Sequence, residues 1–215
     1  MIITNFKTYQ MATAENAIKL AKIHQEVAAE LGVDIRIAVQ AVDLAKVIDA
    51  VNIPVMAQHI DSIGFGSHTG HILPEAVKSV GAEGVILNHA ERRLDSDTLQ
   101  RAIERAKEVG LTTIVCAEHP EEGAKFLEFD PDYIAVEPPE LIGGDISVST
   151  AKPEIIEHAE RLIGREKLLV GAGVKNGKDV AICIKLGAKG VLLASGITKA
   201  EDPKAVLMDL ASGLG

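Results

Sequence analysis

Aromatic side chains are scarce in this sequence: four Phe, two Tyr and no Trp among 215 residues. Large rings therefore cannot dominate the interior. With 47% of the residues apolar, the core has to be aliphatic and filled by many short side chains. Cysteine is limited to Cys116 and Cys183, far apart and each inside an apolar run, which reads as two buried thiols of a cytosolic protein rather than a bridge. Positive charge is in deficit, with 22 Lys and Arg against 31 Asp and Glu and a net charge of −9. That balance disfavours nucleic acid and anionic membranes as partners. An anionic ligand then needs local cations or backbone N–H groups to overcome the overall field. No apolar run approaches the roughly twenty residues of a membrane span. The start, MIITNFKTYQ, lacks the basic and long apolar character of a signal peptide.

What the chain does contain is a regular alternation of two periods. Eight short apolar runs bounded by turn residues read as strands: Ile2–Asn5, Ile35–Val39, Pro54–Ala57, Gly84–Leu87, Thr112–Cys116, Tyr133–Val136, Leu168–Gly171 and Gly190–Ala194. Amphipathic stretches of helical period lie between them, among them Glu15–Leu31, Thr98–Val109, Pro153–Ile163 and Lys178–Leu186. Gly32, Gly81, Gly110 and Gly187 stand where helices would end, each suited to a left-handed cap. Strands without polar alternation have both faces covered, as in a parallel sheet flanked by helices. The segment GAEGVIL at Gly81–Leu87 recurs as GAKGVLL at Gly187–Leu193, on the fourth and eighth runs. Two similar halves of four βα units explain that echo, whereas an open doubly wound sheet does not require it. The expectation is a single domain over residues 1–215, an α/β fold of the (β/α)8 TIM barrel type.

In such a barrel, chemistry is built at the C-terminal ends of the strands. The first run leads into Asn5 and Lys7, two apart and so expected on one side of the strand. The fourth leads into His89, ahead of a helical turn whose positive end would disfavour an imidazolium. The sixth leads into Glu137, followed by Pro138-Pro139 and a Gly pair. The seventh and eighth end in VGAGVKNG and LLASGITK, small residues ahead of helix starts, where backbone N–H groups can cradle a phosphate. A lysine, a histidine, a glutamate and a phosphate cradle suit proton abstraction beside the carbonyl of a small phosphorylated substrate.

At these residues the chain resembles the triosephosphate isomerase family, in its short archaeal-type form. The matching pieces are NFKTY, GSHTGHI, ILNHAERR, VEPPELIGG, GAGV and LLASGI, in family order and across the whole chain. The resemblance implies an isomerase of dihydroxyacetone phosphate and D-glyceraldehyde 3-phosphate, working through an enediolate without cofactor or metal. It implies Glu137 as base, His89 as electrophile, and Lys7 with Asn5 as the electrostatic anchor. The glutamate and neutral histidine pairing enters here from the family itself. By the same resemblance Glu91 pairs with Lys7, and N–H groups near Gly143, Gly173 and Ala194–Ser195 hold the phosphate. Ile142 belongs to a lid hinged at Pro138-Pro139 and spanning Glu140–Asp145. The third loop, with Thr69 and Gly70, is implied to reach into a neighbouring subunit of a dimer or tetramer.

The sequence departs from the family pattern twice. Ala90 follows the histidine where Ser is common, and the lid reads Ile142-Gly143-Gly144-Asp145 rather than Ile-Gly-Thr-Gly. Blander readings cover other features. His59, His68 and His71 lack a matching acid or Cys set and read as a loop rather than a metal site. The segment ERRLDSD is a solvated face with Asp95 or Ser96 capping the next helix. The Met and Phe positions read as core. Two other functions fit a phosphate-binding barrel. A metal-dependent epimerase needs paired His and Asp at several strand ends, and a non-catalytic sugar-phosphate sensor would have lost one of Lys7, His89 and Glu137.

Overall fold

The computed structural model of the protein describes residues 1–138 and 153–215. Eight strands follow one another in chain order: β1 Ile2–Asn5, β2 Ile35–Val39, β3 Val55–Ala57, β4 Gly84–Leu87, β5 Thr112–Ala117, β6 Tyr133–Val136, β7 Leu168–Val170 and β8 Gly190–Leu193. All neighbours pair in parallel, and β8 pairs with β1 to close the barrel. The helices among the described residues are α1 Glu15–Leu31, α2 Leu44–Ile48, α3 Pro74–Ser79, α4 Ser96–Glu108, α5 Pro120–Phe126, α6 Pro153–Ile163, α7 Gly177–Lys185, α8 Ser195–Thr198 and α9 Pro203–Ser212. Among those residues no helix is long and apolar enough to cross a membrane. Strand limits differ from the sequence reading by a residue at Pro54, Ala117, Gly171 and Ala194, where the ladder starts late, runs on or stops early.

Two hydrophobic cores result from period-two alternation. Ile2, Ile35, Ile37, Val85, Val115, Ile134, Leu168 and Val191 face outward and pack against the helices. Their neighbours Ile3, Ala38, Met56, Ile86, Ile114, Cys116, Ala135, Leu169 and Leu192 form a separate cluster inside the barrel. The inner row matters for function. Asn5 is two residues beyond Ile3, and Glu137 is two beyond Ala135, so both continue the inward register at the C-terminal mouth.

The echoed segments have a packing origin. Gly81 and Gly187 hold φ of +95° and +106° after their helices, as the capping argument expects. Gly84 and Gly190 begin β4 and β8 on the inner row, where a Cβ would lie 2.3 Å from Met56 Cε or from the Met1 carbonyl oxygen. Both thiols are free and buried. Asp95 is the cap of α4, accepting the Thr98 N–H. One expectation fails. Phe6 and Met56 are core, but Phe65 is 80% exposed and Met11 60% exposed, because Phe65 lies in a loop and Met11 in the short 3-10 turn Gln10–Ala12, whose buried residue is Ala12.

His24 is the one fully buried histidine of the described chain, on the inner face of α1 with Ala17, Leu20, Ala21 and Val27. Its Nδ1 lies 2.8 Å from the Leu20 carbonyl and its Nε2 2.9 Å from Thr4 Oγ1. A carbonyl only accepts, so Nδ1 carries the proton and Nε2 accepts from the Thr4 hydroxyl. Burial pulls its pKa from 6.5 down to about 4. The unfolded chain therefore takes up a proton that the folded chain refuses. His24's contribution is complete above pH 6.5 and is lost as pH falls to about 4. Unfolding free energies of wild type and His24→Asn should converge by up to about 3 kcal/mol across that window. A gap that does not change with pH would mean that the folded protein carries a charged His24.

Candidate active site

Seven of the residues singled out in the sequence line one cavity of about 360 Å³ at the barrel mouth: Asn5, Lys7, His89, Glu137, Gly173, Ala194 and Ser195. The other two, Ile142 and Gly143, lie outside the described residues, as do Pro139 and the Gly144-Asp145 departure.

Lys7 enters the cavity for a different reason from strand alternation. β1 ends at Asn5, the Phe6 N–H still bonds the Ala38 carbonyl, and Lys7 then adopts φ +48°. This left-handed conformation is uncommon for a side-chain-bearing residue and is held by its surroundings. The Lys7 N–H donates to Asn5 Oδ1 at 3.0 Å, and the Lys7 carbonyl accepts from Gln58 Nε2 at 3.0 Å. Gln58 also bonds the Ala38 carbonyl, so one amide fixes both the turn and the strand beside it. The sequence reading missed Gln58; its only signal is a polar residue one place beyond β3. The ammonium is 2.8 Å from Glu91 Oε1, as the resemblance implied.

His89 follows β4 directly. Its Nδ1 accepts the Glu91 N–H at 3.1 Å, so in the neutral ring the proton is on Nε2. That Nε2 lies 3.8 Å from Glu137 Oε1, and both residues line the same cavity. Burial, and secondarily the Lys7 charge, lower the His89 pKa. The chain from His89 makes a tight turn, with the Arg92 N–H on the His89 carbonyl at 2.7 Å, and α4 begins only at Ser96. Desolvation and the neighbouring cation, rather than a helix dipole, thus keep the ring neutral.

Glu137 is 6% exposed, and its Oε2 has no hydrogen-bond partner among the described residues. Burial raises its pKa to about 7, against the lowering effects of the Cys116 thiol beside it and of Lys7. Space for this side chain depends on Gly171, where a Cβ would lie 2.2 Å from Glu137 Cγ. Any larger residue there would expel the carboxylate. Cys116, read from the sequence only as a buried thiol, is an inner-row residue that walls the carboxylate.

Opposite these groups the cavity is bounded by Gly171–Lys175 after β7 and Leu193–Gly196 after β8. Gly173 has φ +71°, and α8 opens at Ser195. The first N–H groups of a helix have no intrahelical acceptor, so this wall offers backbone donors to an anion, with Lys175 also lining it. His59, for its part, bonds Asp61 at 3.1 Å, and His68 and His71 touch edge to face.

A family model described as triosephosphate isomerase matches residues 1–212. The chain belongs to the triosephosphate isomerase family. It is 48% identical to a triosephosphate isomerase of Methanobacterium bryantii, over 99% of this chain and 96% of that protein. It is 45% identical to the one of Methanothermus fervidus, over 98% and 96%. Against that of Methanocaldococcus jannaschii it is 44% identical over 98% of both.

The raised pKa of Glu137 has a stability consequence. A folded-state pKa above the unfolded 4.5 means a contribution that is present below pH 4.5 and lost as pH rises through about 7. Glu137→Gln removes the desolvated charge while keeping the shape. The variant should match wild type near pH 4.5 and exceed it at pH 8, by on the order of 3 kcal/mol. Denaturant titrations at the two pH values measure this, and a Gln variant less stable than wild type at pH 8 would refute it.

Proposed function

We propose that the chain interconverts dihydroxyacetone phosphate and D-glyceraldehyde 3-phosphate, a step of glycolysis and gluconeogenesis. The observation that carries the reading is the facing pair at the cavity mouth, His89 Nε2 and Glu137 Oε1 at 3.8 Å, with the Lys7 ammonium lining the same cavity. On this reading Glu137 removes a proton from the carbon next to the carbonyl, and the Nε2–H of His89 donates to the carbonyl oxygen. Electrons move from the broken C–H bond to that oxygen, giving an enediolate beside Lys7 and Asn5. Glu137 then returns the proton to the neighbouring carbon while the second oxygen passes its own proton, by way of His89 Nε2, to the first oxygen, so protons and electrons balance within the substrate and no redox partner is required. A base with pKa near neutrality suits a reaction run at neutral pH.

The phosphate is assigned to the wall formed by Gly173, Ala194 and Ser195, and the resemblance assigns a lid role to Ile142 and Gly143, which lie outside the described residues. Closure matters because an enediolate phosphate left in water eliminates phosphate. The chain as one catalytic domain over residues 1–215, its self-association as a dimer or tetramer, and a cytoplasmic setting belong to the same proposal.

A coupled assay of glyceraldehyde 3-phosphate isomerisation in the presence of chelator should find full activity. Glu137→Asp withdraws the carboxylate by about one methylene and should lower kcat by about 10² with little change in KM. Loss of wild-type activity in chelator would favour a metal-dependent enzyme. An unaltered kcat in the Asp variant would remove Glu137 from the base role.

A further inference from the structure

The residue before His89 has no role in the mechanism above, yet it is among the most constrained in the protein. Asn88 is 1% exposed and holds φ +58°. Asparagine tolerates this left-handed region better than most residues with a side chain, but glycine would do so at no steric cost. Backbone conformation alone therefore does not explain an amide here. Both ends of that amide are engaged. Nδ2 donates to the Cys116 carbonyl at 3.0 Å, and Oδ1 accepts the Leu94 N–H at 2.9 Å.

The geometry of β4 and β5 explains the first bond. The strands pair from Gly84↔Thr112 to Leu87↔Val115, and β5 runs on to Ala117 while β4 stops at Leu87. A continuing β4 would give the Cys116 carbonyl a backbone N–H as the next rung. The left-handed turn at Asn88 takes the backbone away, and the side-chain amide supplies that rung instead. The carbonyl stays satisfied although the strand has ended, and His89 is free to leave the sheet and project into the cavity. The second bond closes the seven-residue loop from Asn88 to Leu94, which carries His89 and Glu91. Cys116, whose carbonyl is held, is the residue whose thiol walls Glu137.

We propose that Asn88 is a positioning residue for the isomerase reaction: its amide links the end of β5 to the loop after β4 and so sets His89 relative to Glu137. The inference rests on the reading of His89 and Glu137 as the reacting pair. Asn88→Gly keeps the backbone freedom and deletes both side-chain bonds. Asn88→Asp keeps an acceptor for the Leu94 N–H but removes the donor to the Cys116 carbonyl.

The test combines steady-state kinetics with NMR of the His89 imidazole and thermal melts. Both variants should lower kcat about tenfold to a hundredfold, as expected for a displaced catalytic group, with KM within about twofold of wild type. The His89 ring resonances should move in the folded variants. If glycine prevents folding, the near-isosteric Asp variant carries the test. A folded variant with wild-type kcat and unshifted His89 signals would overturn the proposal, as would a lowered melting temperature with both readouts unmoved. An inactive wild type would instead refute the function reading. In that case the His89 resonances still decide whether Asn88 sets the ring.

Discussion

A carboxylate taken out of water with one oxygen unpartnered is the constraint around which the mouth of this barrel is arranged. Glu137 continues the inner row of β6, so it cannot turn to solvent without leaving the register that buries Ala135. Its pKa rises because burial outweighs the help from the Cys116 thiol and the Lys7 charge. A strong ion pair at this point would restore an ordinary pKa and yield a weak, satisfied base. The cation instead engages Glu91 at 2.8 Å, leaving the Glu137 carboxylate opposite a neutral imidazole. The fold thus holds a destabilised group where function needs one.

The closed parallel sheet makes such an arrangement affordable. Inner side chains from all eight strands meet at one mouth, so groups distant in sequence become neighbours without a flexible loop to carry them. Each strand end uses the inward position differently. Asn5 stays polar, Gly171 stays small so that Glu137 has room, and Cys116 forms a wall. Asn88 and Lys7 both leave the sheet through left-handed backbone, at φ +58° and +48°. Their strain is confined to the two residues that introduce the imidazole and the ammonium.

Much of this was legible in the residues. The strands stood out because strands covered on both faces lack polar alternation, and the glycine caps because αL positions after helices favour glycine. Lys7, His89 and Glu137 fall just past strand runs, where a barrel puts its chemistry. What could not be read was how those side chains are aimed. Two residues of separation suggested that Asn5 and Lys7 share a strand face, but β1 stops at Asn5 and a turn held by Gln58 does the aiming. Supports such as Gln58, Asn88 and Gly171 act through atoms far away in sequence, so no local pattern marks them. The neutrality of His89 was expected for the wrong reason. A helix dipole is a local feature a sequence can suggest, whereas burial among Lys7, Glu91 and Glu137 exists only after folding.

The charge balance of the cavity also resolves how an anionic substrate could enter a protein of net charge −9. Glu91 serves two purposes at once. Its carboxylate holds the ammonium of Lys7, and its backbone N–H occupies Nδ1 of His89, leaving the Nε2 proton to face the cavity. The lysine and this acid nearly cancel at a distance while the ammonium stays strong at short range, where the oxyanion would form. On the opposite wall, the turns after β7 and β8 offer backbone N–H donors. Dipoles weaken faster with distance than charges, so they can bind a phosphate at contact without adding a long-range field over the Glu137 carboxylate. A lysine or arginine at Gly173, Ala194 or Ser195 would place a further charge within range of Glu137, beside the Lys175 that already lines this wall. Small residues at Gly173, Ala194 and Ser195 leave backbone donors within reach of the cavity without adding charge to it.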